Sequence, residues 1–339
     1  MAGRAAAVLA MRPDVAESAF PAAVRARLDA LVTVDHDLVV TDFAEPRSRA
    51  ALAGAEILLT GWGCPPLTAE VLDAAPRLRA VIHAAGSVKH HLGPDFWARG
   101  ILASSAADAN AYPVAQFTLS VILLSGKRTF EMARQYADGA FKEAATSPRF
   151  GNVGRTVGVI GASRIGRLVL PMLAREGFRV LLADPTLTAA DAAALVPAPG
   201  SVELVGLEDL LRRSDVVTVH APSLPETHHL LDDTRLALMR DGSVLVNTAR
   251  GALVDTDALV RHCASGRIDA FLDVTDPEPL PSGHPLFLLP NVVVTPHLAG
   301  AMGTEVAALG AFAVSEVERC LEGLPLLGAV HEDDLARIA

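Results

Sequence analysis

Three residues in the second half of the chain carry the side chains needed to reduce a carbonyl that adjoins a carboxylate: Arg250, Glu278 and His297. Arg250 follows the apolar run SVLVNT, Glu278 follows DAFLDV, and His297 follows NVVVTP. Residues just past apolar strands stand where doubly wound sheets bind ligands, at the carboxyl ends of parallel strands. A 2-oxo acid needs a fixed cation to grip its carboxylate and polarise its ketone, and a guanidinium offers a two-pronged fork. It needs a proton donor that titrates near neutral pH, as imidazole does. It also needs a carboxylate that holds the imidazole in one tautomer and favours its protonated form. Taken singly, each residue has an ordinary explanation: a turn arginine, a surface acid, a histidine that satisfies backbone groups. Their joint occurrence, each past an apolar strand, points to one site.

A hydride carrier has a matching signal. TVGVIGASRIGR (156–167) runs from an apolar strand through Gly161-Ala162-Ser163-Arg164-Ile165-Gly166 into a helical pattern. Glycines there permit a tight turn and close helix–strand packing, and the N–H groups at the helix start face a pyrophosphate. Ser163 stands where a second glycine is usual, so its Cβ narrows the approach while its hydroxyl offers a phosphate donor. It is not the nucleophile of a hydrolase elbow, because Ile165 occupies the position where that motif needs glycine. Asp184 ends the next strand, RVLLADP, 18 residues beyond Gly166. A carboxylate there accepts from a ribose diol and repels a 2′-phosphate, and Pro185 brings no compensating cation, so NAD is expected over NADP.

These residues need a scaffold of alternating strands and helices, and the chain reads that way from its start. Apolar runs at 5–11, 37–40, 56–60 and 80–84 read as strands, with helical spacing over 18–31 and 67–76. PVAQFTLSVILLSG (113–126) reads as a helix opened by Pro113 at its first position and apolar on nearly every side, hence buried. A second series follows, with strands at 156–160, 179–183, 215–221, 243–248, 269–274 and 291–296. Helices are expected at 164–176, 207–214, 232–240 and 256–266, and a long amphipathic helix at 303–322. Such alternation argues for parallel sheets covered by helices.

Composition excludes other classes. A length of 339 residues suits two domains, and 51% apolar residues can build both cores. A net charge of −10 without a basic run leaves nucleic acid an improbable partner. Cys64, Cys263 and Cys320 are distant and odd in number, which points away from disulfides and towards a reducing, cytoplasmic setting. AAAVLAM is too short for a membrane span and lacks a cleavage site, so it reads as a first strand. His90-His91 and His228-His229 invite a metal reading. Adjacent side chains are expected to diverge and no H-x-H or H-E-x-x-H is present, so no metal site is expected.

From about Leu78 to Gly300 the chain resembles the D-isomer-specific 2-hydroxyacid dehydrogenases. The resemblance is carried by TVGVIGASRIGR, SDVVTVHAPSLPETHHLL, VNTARGALVD, LDVTDPEPLP and NVVVTPHLAG in that order. It implies an α/β architecture of two doubly wound parallel-sheet domains. A Rossmann NAD-binding domain (113–302) would be inserted into a smaller flavodoxin-like substrate domain (1–112 and 303–339). It implies substrate binding by Arg250 and acid–base work by Glu278 and His297. Asp273 would approach the nicotinamide amide, and Pro222, Thr248 and Ala249 would complete the cofactor set. A homodimer is implied, giving the 113–126 helix a partner. The substrate-carboxylate loop, usually G-x-G-x-D, reads Ala85-Gly86-Ser87-Val88-Lys89 here, and Gln116 stands where Glu is common. Lys89 replaces an acid, and would either reach solvent or favour a substrate with a second anionic group. The competing expectation is a catalytically silent protein of the same fold that senses NAD(H) or scaffolds a partner.

Overall fold

The computed structural model describes residues 4–139, 150–196 and 202–335. The described residues up to Ala111, with those from Ala301 onward, form one compact unit, and Tyr112–Gly300 form a second.

The first unit opens with β1 (Ala6–Ala10), α1 (Pro13–Ala19), α2 (Ala22–Leu31), β2 (Thr33–Val40), α3 (Pro46–Gly54) and β3 (Ile57–Thr60). It continues through α4 (Ala69–Asp73), β4 (Ala80–His83), α5 (Pro94–Trp97), β5 (Leu102–Ser105) and the start of α6 (Ala107–Gly126). Its strands are all parallel in the order β2-β1-β3-β4-β5, the flavodoxin-like order. β3 and β4 are buried at every residue because helices cover both faces. The single helix expected over 18–31 is two helices. α1 ends at Ala19 and Pro21 caps α2 in an extended conformation. β5 gave no apolar signal because two of its four residues are serines; Ser104 is buried all the same, since its hydroxyl donates to the buried Glu316 (2.5 Å).

α6 starts six residues earlier than Pro113 suggests, so the proline lies inside the helix. It costs one helical hydrogen bond, and burial of Ala111, Val114, Ala115 and Thr118 holds the turn regardless. Nor is α6 buried all round: Tyr112, Gln116, Ser120 and Leu124, spaced by four, form an exposed stripe.

The second unit contains α7 (Thr129–Ala137), β6 (Thr156–Ile160), α8 (Arg164–Arg175), β7 (Arg179–Ala183), α9 (Ala189–Ala194), β8 (Val202–Leu204) and α10 (Leu207–Arg213). Then come β9 (Val216–Val219), α11 (Asp233–Leu238), β10 (Ser243–Asn247), α12 (Thr256–Ala264), β11 (Ile268–Leu272), α13 (Pro285–Leu288) and β12 (Val292–Val294). These strands form a seven-stranded parallel sheet, β12-β11-β10-β9-β6-β7-β8. Strand order reverses between β6 and β9, which opens the crevice where such sheets take ligands. Side chains of Asp232 and Asp255 cap α11 and α12 and set where those helices begin.

The chain then returns to the first unit through a 3-10 turn (Gly303–Glu305) and α14 (Val306–Leu321). α14 packs on α1 and α2 through Val306, Ala313, Val314 and Val317. Gly310 permits the approach, because a Cβ there would lie 1.7 Å from the Ala19 carbonyl oxygen.

Candidate active site

Gly161 turns β6 into α8 with a φ of +91°, and an added Cβ would meet the Ala221 nitrogen at 2.7 Å. A Cβ on Gly166 would lie 2.2 Å from the Gly161 carbonyl oxygen. Both glycines are therefore demanded by backbone packing at the switch point. Ser163 is the N-cap of α8, yet its hydroxyl caps nothing, which leaves it and the first N–H groups of the helix available to an anion. Arg164 is exposed and Ile165 half-buried beside it.

Asp184 accepts from the N–H of Ala162 (2.8 Å) and from both the N–H and the hydroxyl of Thr186. Burial pushes its carboxyl up, but the hydrogen bonds from Thr186 and Ala162 outweigh this and leave it below the usual carboxylate range. It stays ionised and holds the glycine loop. His220, next to the half-buried Pro222, is buried beside Gly166; its Nε2 meets Thr218 Oγ1 at 3.0 Å and its Nδ1 has no partner among the described residues. A glycine cradle at a helix start, a free Ser163 hydroxyl and a carboxylate at the tip of β7 fit a dinucleotide without a 2′-phosphate.

Arg250, Glu278 and His297 all belong to the second unit. Asn247 shapes the turn after β10: its amide donates to the Arg250 carbonyl (2.8 Å) and its oxygen accepts from Ala249 N–H (3.0 Å). A Cβ on Gly251 would fall 2.0 Å from the carbonyl of Thr275, so the Arg250 turn lies directly on the turn that carries Glu278. The Arg250 guanidinium donates to the Ala249 carbonyl (2.6 Å). Burial lowers its pKa from the usual guanidinium value, and the negative charge of Glu278 opposes the change. His297 Nδ1 and Glu278 Oε1 are 2.6 Å apart, and both side chains are about half exposed, at 48% and 43%.

His297 sits in a left-handed backbone conformation (φ +52°). Asp273 supports it. That carboxylate is buried and accepts from Thr295 Oγ1 (2.6 Å) and the N–H groups of Leu298 and Ala299 (2.9 Å each), while the Asp273 carbonyl accepts from His297 N–H. Thr248 is buried with its hydroxyl against Thr118 (2.8 Å), and Ala249 is buried too, so these two offer a ligand main-chain groups only. Asn247 and Thr295 were not singled out from the sequence. An Asn two residues before the turn residue whose N–H it accepts was the available signal for the first.

Ala85, Gly86, Ser87 and Val88 follow β4 in the first unit. Ala85 and Val88 are buried, so the loop offers outward its backbone and Ser87, whose hydroxyl accepts weakly from Lys89 N–H (3.5 Å). His83, at the end of β4, pairs its Nδ1 with Thr60 Oγ1 (2.8 Å); burial and the neighbouring His91 push its pKa down to about 3. The three cysteines are free and buried.

The expectation that adjacent histidines diverge fails at His228-His229. Their rings stack with centroids 3.9 Å apart and planes 23° apart, because His229 takes φ +48°. No helix among the described residues is long and apolar enough to cross a membrane.

Residues 119–299 match the family model described as D-isomer specific 2-hydroxyacid dehydrogenase, NAD binding domain. The chain is 35% identical over 285 residues to a D-3-phosphoglycerate dehydrogenase of Mycobacterium leprae, which covers 84% of this chain but only 52% of that protein. It thus spans about half the length of the phosphoglycerate dehydrogenases it matches. It is 35% identical over 241 residues to a glyoxylate reductase of Thermofilum pendens, covering 69% of each. Among solved structures, the TT0316 protein from Thermus thermophilus superposes with a TM-score of 0.75 at 34% identity, over 96% of this chain and 99% of that one. With the glycine cradle, the two parallel sheets and this match, the chain belongs to the D-isomer-specific 2-hydroxyacid dehydrogenase family, with an NAD-binding domain at its centre.

Proposed function

We propose that the protein is an NAD-dependent oxidoreductase acting at C2 of a small 2-hydroxy or 2-oxo acid. The observation that carries this reading is the 2.6 Å His297–Glu278 pair, with the Arg250 turn packed on the turn that bears Glu278. Bound NAD(H) accepts or supplies the hydride. Gly161, Ser163, Arg164, Ile165 and Gly166 would hold its pyrophosphate, Asp184 its ribose, and Pro222, Thr248, Ala249 and Asp273 would line the rest of the crevice.

Arg250 binds the substrate carboxylate in a two-pronged contact and polarises the carbonyl at C2. With Nδ1 engaged by Glu278, His297 turns Nε2 to the substrate and protonates the carbonyl oxygen as C2 is reduced. In the oxidative direction the same nitrogen takes the hydroxyl proton, and Glu278 stabilises the imidazolium. Asp273 acts as a positioning residue, through the four bonds that hold the segment around His297. In this reading the first unit is the substrate domain, with Ala85, Gly86, Ser87 and Val88 as its substrate-binding loop, and the protein works as a homodimer in a reducing, cytoplasmic setting.

The test is NADH oxidation against a panel of 2-oxo acids, with NADPH as control. His297→Ala should lose about 10²–10⁴ in turnover while binding NADH as the wild type does. Silence of the wild type across the panel, with tight NADH binding, would instead favour a sensing or scaffolding role.

A further inference from the structure

Outside that acid–base pair lies a second cluster of ligating groups. His228, His229 and Asp276 each present one ligand atom, and the three atoms lie within 4.8 Å of one another. Two segments far apart in sequence bring them together. The His229 N–H donates to the Ala252 carbonyl (2.8 Å), and Leu231 N–H to the Leu253 carbonyl (2.9 Å). From the other side, Thr256 Oγ1 donates to the Asp276 carbonyl (2.7 Å). Both segments are therefore fixed to residues 252–256, and the cluster is built on anchored backbone. The side chains themselves make no hydrogen bond or ion pair among the described residues, so their lone pairs are uncommitted. His228 and Asp276 are exposed and His229 half-buried, which gives a hydrated ion a path in.

We propose that His228, His229 and Asp276 form a binding site for a divalent transition-metal ion of the zinc or nickel type. Imidazole nitrogen with one carboxylate is a borderline donor set, which selects such ions over magnesium and calcium. Zinc binds imidazole nitrogen at about 2.0–2.1 Å and carboxylate oxygen at about 2.0–2.2 Å, so ligand atoms on one tetrahedral ion stand roughly 3.3–3.5 Å apart. The ring stack already brings the two imidazoles to a centroid distance of 3.9 Å, and closing the set on an ion brings ligand atoms that lie within 4.8 Å of one another closer together. Water completes the coordination. Asp276 is two residues from Glu278, so an ion held there ties the turn bearing Glu278 to the His228-His229 segment and slows turnover.

Titration of the full chain with zinc chloride at pH 7.5 in a non-chelating buffer reads binding directly. The expected result is one equivalent of zinc, with affinity falling at least about tenfold in His228→Ala and in Asp276→Asn, while magnesium does not compete. His229→Asn keeps a residue that tolerates the left-handed backbone and removes the ring; it should weaken binding equally. Zinc should also raise the thermal midpoint of the wild type and not that of His228→Ala, and a cooperative transition of the variant without zinc, at the wild-type midpoint, shows that it folds. Wild type and all three variants binding zinc alike, or magnesium displacing it, overturns the site. Equal zinc inhibition of wild type and His228→Ala overturns the link to the Glu278 turn. Binding is read without turnover, so loss of this site and loss of the proposed reaction are separate results.

Discussion

At the scale of single residues, the proposed chemistry rests on a few polar groups held in place by their neighbours. Glu278→Gln keeps the shape of the side chain but removes the charge facing His297 Nδ1. Turnover should fall by about 10²–10⁴-fold with NADH affinity unchanged, and pre-steady-state NADH oxidation would check it. A second residue-scale consequence concerns acid. His83 and His220 are buried neutral, each with its pKa pushed down to about 3. In the unfolded chain both take up a proton near pH 6.5, so below that pH the unfolded state binds more protons than the folded one. Stability should be fully present above pH 6.5 and decline as pH falls from there towards 3, by roughly 1.4 kcal/mol per pH unit for each histidine. Urea unfolding at pH 7, 6 and 5 measures this, and a flat profile contradicts it. Lys89 gives a third test: if it favours a second anionic group on the substrate, Lys89→Ala should lower turnover of dianionic relative to monoanionic 2-oxo acids, and an unchanged ratio excludes that role.

At the scale of elements, glycines mark where backbones must meet. Gly251→Ala would drive a Cβ into the Thr275 carbonyl at 2.0 Å and push the Arg250 turn off the Glu278 turn. Turnover is expected to fall more than NADH binding does: Thr248 and Ala249 of the proposed cofactor set lie on the displaced turn, but the glycine cradle and Asp184 follow β6 and β7, which β9 separates from β10 in the sheet. Gly310→Ala would meet the Ala19 carbonyl at 1.7 Å and lift α14 from α1, costing the first unit about 1–3 kcal/mol or more. Gly54, at the end of α3, has open space around its missing Cβ. Gly54→Ala should therefore be neutral or stabilising, by up to about 1 kcal/mol. Denaturation midpoints of the Gly310 and Gly54 variants, side by side, separate close packing from helix propensity.

At the scale of the whole molecule, a homodimer would cover apolar surface that the single chain leaves open in its second unit. Tyr112 and Leu124 on α6, Tyr136 on α7, and Phe287 and Leu288 on α13 are all exposed, Leu288 at 75%. Arg134 on α7 donates to the Leu289 carbonyl, which keeps α7 and α13 adjacent. Sedimentation equilibrium should give twice the chain mass, and Leu124→Glu or Leu288→Asp should shift it towards one. A wild type that sediments as a monomer at micromolar concentration removes the dimer.

The amino-acid sequence alone determined the alternation of strands and helices, the glycine-rich loop and the candidate residues for acid–base work and carboxylate binding, because each is a local signal. An apolar run, a glycine before a helix and a titratable residue past a strand all lie within a few positions. Tertiary structure decided what depends on distant partners. Pro113 lies inside α6 because packing outweighs one lost hydrogen bond. Serine-rich β5 is a strand because Glu316, far along the chain, takes up a buried hydroxyl. Asp273 turned out to hold the His297 segment through groups more than twenty residues away in sequence. His228 and His229, expected to point apart, stack instead and face Asp276, since one backbone torsion in the left-handed region reverses what neighbours in an extended chain would do.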